Sequence, residues 1–565
     1  MILKALYDYY NRCDGLAERG LELKEIGYLI VLDNDGTFIR LENRMKDKKT
    51  ALSFLVLQSV KRSGRKYSPN YFWDNYEYVV GGDGESAVKH KTFVDKVCVF
   101  KSKLPNNEYV TAIYKFFLKY KDVKSVISDD VLFDELAKSK KNISFLIHGK
   151  LQIAAEDKDI INLVLSENDT DTFYHKCLVT GKRGLIARLH TTIKLSKDTG
   201  PLVAFKTDRG YDSYGKEQGR NAPISEEAEF AYTTALNHLL RSGSHNKFMV
   251  GSRTFLFWAS SNSEAANKSE DSLFALFGKT EEDNDDPNKR IKLVRDTFMS
   301  IYTGKLAANK DDRFFILGLA SNSARIAVVY WNELPLREFA GLISKHFMDM
   351  EIVDTRKDKK PYVGLHSILG NVTLGGKSSD ATPNLPDAVV KSIFQGLLYP
   401  ASLLQACIRR IRAEQSVNIG RAAIIKAYLN RLNDNNNNNK KLDIMLDKEN
   451  QNQGYLCGRL FAVLDKIQED ANNIHSIRER YMNSASATPA TVFATILNLS
   501  THHLEKLNEG KQVFYEKLKQ EIIAKLDADG FPAHLDLQDQ GRFFVGYYHQ
   551  RQAFFVSKEN KEAEE

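Results

Sequence analysis

Residues 26–41 read IGYLIVLDNDGTFIRL. An apolar run ends at Leu32, the polar Asp33-Asn34-Asp35-Gly36 follows, and Thr37-Phe38-Ile39-Arg40-Leu41 then alternates. Asp-Gly between two such runs is a strong short-range hairpin signal, because glycine supplies the positive φ that a tight turn demands. The stretch predicts two strands joined around Asp35-Gly36. Downstream, CVFKSKL (98–104), SFLIHGK (144–150), DIINLVLS (159–166), LVAFKTD (202–208), RTFLFWAS (253–260), RFFILGLAS (313–321) and RIAVVYWN (325–332) also read as strands, with helical stretches between them. After about residue 384 strand signals thin out. Apolar residues then recur at helical spacing: Leu456, Leu460, Leu464 and Ile467, followed by Phe514, Leu518, Ile522 and Leu526. The expected fold class is α+β: a mixed α/β region over residues 1–375, then an α-helical bundle over 384–565. Inside the bundle, NDNNNNNKK (433–441) cannot bury itself and reads as a disordered linker. Residues 445–565 beyond it form a candidate small bundle of their own.

The segment YLIVLDNDGTF admits an enzymatic reading as well. An apolar strand followed by Asp-x-Asp-Gly-Thr resembles the first motif of haloacid-dehalogenase-type phosphatases. Asp33 would attack phosphorus, Asp35 would serve as acid and base, and Mg²⁺ would bind beside them with help from Asp129, Asp130 and Asp134. The hairpin is the simpler reading, since TFIRL alternates as a returning strand; the phosphatase stands as the alternative. GNVTLGGKS (370–378) nearly spells a phosphate loop, but five residues separate Gly370 from Gly376 where four are needed. His175, Cys177 and His190 lack the second cysteine pair of a structural zinc site. No nucleophile elbow accompanies a Ser/His/Asp set. No catalytic residue, metal or cofactor is expected.

A chain of 565 residues is too long for one core, and 42% hydrophobic with 27% charged residues is an ordinary globular composition. It contains no apolar run of ~18 residues, and MILKALYDYYNRCDG lacks a signal peptide's continuous apolar stretch. Five scattered cysteines without a CxxC fit a reducing cytoplasm. Net charge is +7, unevenly spread: residues 175–260 hold 13 Lys/Arg against 7 Asp/Glu, while 445–565 hold 14 against 18. A basic middle and a mildly acidic tail suit contact with nucleic acid by one part and with protein by another.

The basic middle contains SYGKEQGRNAPIS (213–225), whose one sizeable aliphatic residue is Ile224. Ser225 suits the N-cap of a helix running to Leu240, with Glu226 and Glu227 at its positive end and Gly243 just past its stop. Lys216, Gln218, Arg220 and Asn221 between and after the glycines are side chains that reach phosphates and base edges. Lys61, Arg62, Arg65 and Lys66 form a second basic stretch.

CLVTGKRGLIARLH (177–190), SYGKEQGRNAPIS running into EEAEFAYTTALNHLL (226–240), and RTFLFWAS resemble the large subunit of the type I-C (Dvulg-subtype) CRISPR interference complex, Cascade. So do MILKALYDYYNR, FFILGLASNSARIAVVYW (314–331), YPASLLQACIRRIR (399–412), GYLCGRLFAVLDKIQ (454–468), RYMNSASATPATVF (480–493) and FFVGYYHQRQAFF (543–555). The likeness runs in order from residue 1 to about residue 556. It implies a cytoplasmic subunit without chemistry of its own, seated where the complex holds the 5′ handle of its crRNA. The subunit would inspect double-stranded DNA for a short, TTC-like protospacer-adjacent motif, help open it and present the target to a recruited helicase–nuclease. Its partners would be crRNA, target DNA, other Cascade backbone subunits and a small helical subunit, with no membrane. The family is thought to make that small subunit by internal initiation, which here points to Met445. Assigned by chemistry, Lys216, Gln218, Arg220, Asn221 and, in FWDNYEYVVGG, Asn75 are the candidate motif contacts, and Lys61, Arg62, Arg65 and Lys66 the DNA-backbone contacts.

Overall fold

The computed structural model describes residues 1–562 apart from 49, 61–66, 140, 167–172, 196–197, 206–209, 211–213, 242, 251, 278–286, 323–324, 357–361 and 435–440; side chains at 287–290, 322, 325 and 556–562 are also left undescribed. The chain folds as two compact units, Met1–Arg241 with Ser323–Ile326, and Ser242–Asn322 with Ala327–Glu565. Strands concentrate in the earlier part and helices in the later part, so the class is α+β.

The first unit is built on β1 (Leu21–Leu32). As the Asp-Gly signal requires, β1 turns into β2 (Phe38–Asn43), pairing antiparallel from Tyr28↔Asn43 to Leu32↔Phe38. Gly36 sits in the turn at φ 81°, and the Asp33 amide donates to the Thr37 carbonyl at 2.9 Å. The earlier half of β1 pairs antiparallel with β3 (Leu52–Leu57). The changeover falls at Gly27, where a Cβ would press on Lys141 and Met45. β4 (Trp73–Asp74) and β5 (Asn142–Ile147) complete the sheet in the order β2-β1-β5-β4, with β5 parallel to β1. From Ile26 to Leu32, β1 is buried on both faces. Tyr28, Ile30 and Leu32 meet Phe93, Ile113, Phe116 and Phe145 on one side; Ile26, Leu29 and Val31 meet Trp73, Leu146 and Ile153 on the other. That explains why residues 26–32 are a continuous apolar run rather than an alternating one.

Two expected strands are helices. CVFKSKL lies in the Glu85–Lys103 helix, where Phe93, Val97 and Phe100 repeat at helical spacing on the buried face. DIINLVLS forms the Lys158–Ser166 helix, whose first turn is capped by Asp157 accepting from the Ile160 amide at 3.1 Å. LVAFKTD forms no strand over its described residues. Two small hairpins close the unit: β6 (Tyr174–Lys176) with β7 (Arg183–Leu185), and β8 (Ile193–Leu195) with β9 (Asp198–Gly200). The Glu226–Leu240 helix follows, its first turn capped by Ser225 as expected, and packs on Ile2–Arg12 through Tyr10 and Phe230.

The second unit begins with the sheet β10 (Lys247–Val250), β11 (Arg253–Ala259), β12 (Arg313–Asn322), β13 (Arg325–Pro335), in that order. Among the described residues no strand follows β13. One continuous core joins sheet residues such as Phe248 and Phe314 to Leu460 and Phe543 of the terminal helices. The Leu456/Leu460/Leu464/Ile467 stripe is fully buried, in the Gln453–Asn472 helix. Of the second stripe, Ile522 is fully buried and Leu518 and Leu526 pack against the core, whereas Phe514 is 52% exposed and its neighbour Tyr515 is buried in its place.

Candidate nucleic-acid interface

The loop that begins at Tyr214 is docked on hairpin β6–β7, not free. Ile186 bridges Ser225, the Ala187 amide donates to the Ile224 carbonyl at 2.9 Å, and the Leu178 amide to that of Pro223 at 2.9 Å. The Cys177 thiol accepts from the Ser225 amide at 3.2 Å and from the Val179 amide at 3.4 Å. Burial pushes this thiol up, but the Ser225 and Thr180 hydrogen bonds outweigh it and hold it below its ordinary value. The cysteine is thus a structural clasp. At the loop's middle the Gly219 amide donates to the Arg188 carbonyl at 2.9 Å, and a Cβ at 219 would lie 2.8 Å from that oxygen. Only glycine allows this approach.

Each loop residue singled out by chemistry has a defined place. The Gln218 side-chain oxygen accepts from the Arg188 guanidinium at 2.7 Å. The Asn221 amide donates to the Lys216 and Gln218 carbonyls, both at 3.1 Å, so Asn221 braces the loop from within. The Arg220 guanidinium stands 4.9 Å from the Phe173 ring centroid, in cation–π range. Beyond Lys216 and Gly215, Tyr214 protrudes at 98% exposure with φ 54°.

The docking brings together cations that the sequence reading did not single out as site residues. Lys176, Lys182, Arg183 and Arg188 are all exposed, and Lys176 sits directly opposite Arg183 across the hairpin. No carboxylate occurs from Phe173 to Arg188. Like charges facing each other across a strand pair are mildly destabilising. Aromatic rings lie among them: Tyr174 is 56% exposed, and His175 stacks on Phe173 with centroids 6.2 Å apart. The signal available in sequence was a basic, acid-free run interleaved with aromatics.

Other expected residues lie elsewhere. Asn75 caps the Tyr76–Val79 turn, its side chain accepting from the Tyr78 amide at 3.4 Å. Lys61, Arg62, Arg65 and Lys66 fall outside the described residues, as do 435–440 of the asparagine run. Asp33 and Asp35 belong to the β1–β2 turn. There the Thr37 hydroxyl and amide donate to Asp35 at 2.6 and 2.9 Å and hold its carboxyl below the ordinary value. Asp130 accepts from the Leu41 amide at 2.8 Å, tying down β2. Cys177 and His190 are buried with partners of their own, Ser225 and Tyr232. Among the described residues no three His, Cys, Asp or Glu side chains are grouped to hold a metal ion, and no helix is long and apolar enough to cross a membrane.

Compared with known protein families, the sequence matches the one described as CRISPR-associated protein (Cas_Csd1) over residues 6–555. A search of curated proteins returns no match. The family match takes in the docked loop, the cationic hairpin and the helical region to near its end. On that span, the chain belongs to the Csd1 family of CRISPR-associated proteins.

Proposed function

We propose that the chain is the large subunit of a type I-C RNA-guided surveillance complex, contributing DNA recognition and no bond-making chemistry. In this reading it engages the duplex beside the target, recognises the protospacer-adjacent motif, and helps the guide RNA displace one strand. The opened target is then presented to a separate helicase–nuclease. The observation that carries the reading is the juxtaposition of the acid-free cationic hairpin with the docked loop, in a chain of CRISPR-associated family. In such complexes base pairing reads the long sequence, and the protein needs only a short motif contact plus backbone charge. Lys176, Lys182, Arg183 and Lys216 suit the phosphates. Gln218 and Arg188, already joined to each other, suit the motif; Asn221 holds the backbone of Gln218. Lys61, Arg62, Arg65 and Lys66 are proposed as further backbone contacts.

The reading is tested by reconstituting the guide-RNA complex with and without this chain and titrating it with target duplexes bearing intact or scrambled motifs. Motif-dependent binding and permanganate-sensitive strand opening are expected only when the chain is present. Equal binding and opening without it would refute the assignment.

A further inference from the structure

Tyr214 offers a nearly whole aromatic surface to solvent on a loop whose other features all favour order. Its exposure is 98%, and its backbone is held in the left-handed region at φ 54°, beside Gly215 at φ 70°. A non-glycine residue in that region is conformationally costly and persists where surrounding structure enforces it. The loop that follows it is braced: Asn221 ties Lys216 to Gln218 from inside the loop, Gly219 is fastened to Arg188, and the Arg220 guanidinium lies over Phe173. A large apolar ring is thus carried outward on a braced tip, with Lys216 two residues away and the Arg188–Gln218 contact at the base. The polar side chains behind it have intramolecular partners, whereas the ring faces water.

We infer that Tyr214 stacks on an unpaired nucleobase, so that the tip grips single-stranded or locally opened nucleic acid through its ring. Two properties of the patch select a nucleobase over an apolar protein groove. The hairpin behind it is cationic, with no carboxylate from Phe173 to Arg188 and Glu217 the one carboxylate between Tyr214 and Ser225, and matches a phosphate backbone. The exposed rings are also flanked by cations, Tyr174 by Lys176 and Arg183 on the hairpin and Tyr214 by Lys216 on the loop, with Leu178 the one large aliphatic side chain exposed on that hairpin. Aromatic rings among cations are how sequence-tolerant single-strand sites are built, because every base has a π-face and each phosphate a charge. This inference rests on the proposed nucleic-acid role. It adds that the tip favours unstacked over paired bases, and that this preference resides in Tyr214 rather than in Gln218 or Asn221.

The test uses the purified full chain and three fluorescent DNA probes of equal length: a duplex, the same duplex with one unpaired base, and a single strand. Wild type is expected to favour the second and third probes. Tyr214→Ala should lose roughly tenfold in affinity for those two, with little change on the intact duplex, while Tyr214→Phe keeps the preference. A substitution at so exposed a ring leaves the fold intact, and an unchanged melting temperature verifies this. If Tyr214→Ala matches wild type on every probe while Lys176→Glu/Arg183→Glu abolishes binding, the stacking inference falls and the nucleic-acid reading stands. If wild type binds none of the probes at low salt, both fall. If Tyr214→Ala binds DNA normally but fails to join the other subunits of the complex, the ring is a protein contact and the inference is overturned.

Discussion

The Gly219 amide and the Arg188 carbonyl are hydrogen-bonded at 2.9 Å, in a space that admits no side chain at position 219. Gly219→Val would therefore push the loop off the β6–β7 hairpin. Overpacking of this kind costs ~1–3 kcal/mol, and here the obstacle is backbone, which cannot swing aside. Trypsin should then cut faster at Lys216 and Arg220, and DNA affinity should fall. The melting transition of the second unit should not move, since the change is confined to the first. Unchanged proteolysis would contradict the docking.

A second close approach sets the stability of the helical region. The Gln453–Asn472 and Leu537–Glu562 helices touch backbone to backbone at glycines. A Cβ on Gly454 would come 2.5 Å from the Asp539 carbonyl, and one on Gly458 would overlap that of Phe543. Gly458→Leu is expected to lower stability by ~3 kcal/mol or more, the upper end of overpacking, read as a reduced denaturation midpoint in urea. Gly510→Ala, where an added methyl meets little, is the control.

Two buried histidines make the second unit sensitive to mild acid. His346 donates from Nε2 to the Val363 carbonyl at 3.0 Å, which leaves Nδ1 to accept from the Tyr399 hydroxyl at 2.7 Å and fixes the neutral tautomer. Burial and the nearby Arg431 push His346 down to about 3; burial and Lys426 push His549 down to about 3. Unfolding releases both to about 6.5, so the unfolded chain binds more protons below that pH. Stability is therefore fully present above about pH 6.5 and declines as pH falls toward the folded values. Most carboxylates have not begun to titrate between about pH 6.5 and 5, so melting temperatures across that window report the histidines. A flat profile there would contradict their burial.

The tail carries a prediction about expression. We propose internal initiation at Met445, yielding a helical product of residues 445–565. Met445 is 62% exposed, so Met445→Leu should leave the full chain's stability within ~0.5 kcal/mol while removing the product. In the full chain, Ile425, Leu429 and Leu404 pack at Gly541, so the separate product would expose that apolar seat and should be recovered bound to other subunits. Mass spectrometry of complex purified from an untagged operon checks this. Absence of any fragment starting near 445, with full interference in the Met445→Leu strain, would contradict it.

What could be read from sequence divides along the range of the interactions involved. The β1–β2 hairpin was legible because Asp35-Gly36 dictates its turn locally. The Ser225 cap and the helix after it were legible for the same reason. The parallel pairing of β1 with β5 joins residues far apart in sequence and leaves no local mark. CVFKSKL and DIINLVLS read as strands in sequence but fold as helix, because a seven- or eight-residue apolar window fits either period. The deciding residues, such as Phe93 in the first case, lie outside the window. Phe514 opens a stripe whose Ile522 is buried as expected, yet the neighbouring helices select Tyr515 over Phe514. At the site, the loop announced itself by composition. Its partner hairpin did not, because the contact of Gln218 with Arg188 spans thirty positions.

The proposal that this chain recognises the adjacent motif is tested most directly by one ratio, the affinity of the assembled complex for duplex with the intact motif over that for the mutated motif. It should be measured for wild type, Gln218→Ala, and Lys176→Glu/Arg183→Glu at two salt concentrations. A good base-edge contact is worth ~1–3 kcal/mol, so Gln218→Ala should shrink the ratio by roughly five- to a hundredfold. The hairpin double variant should weaken binding to both duplexes alike and flatten the salt dependence, leaving the ratio intact. A ratio unchanged by Gln218→Ala, with the hairpin variant also binding as wild type, would contradict the account.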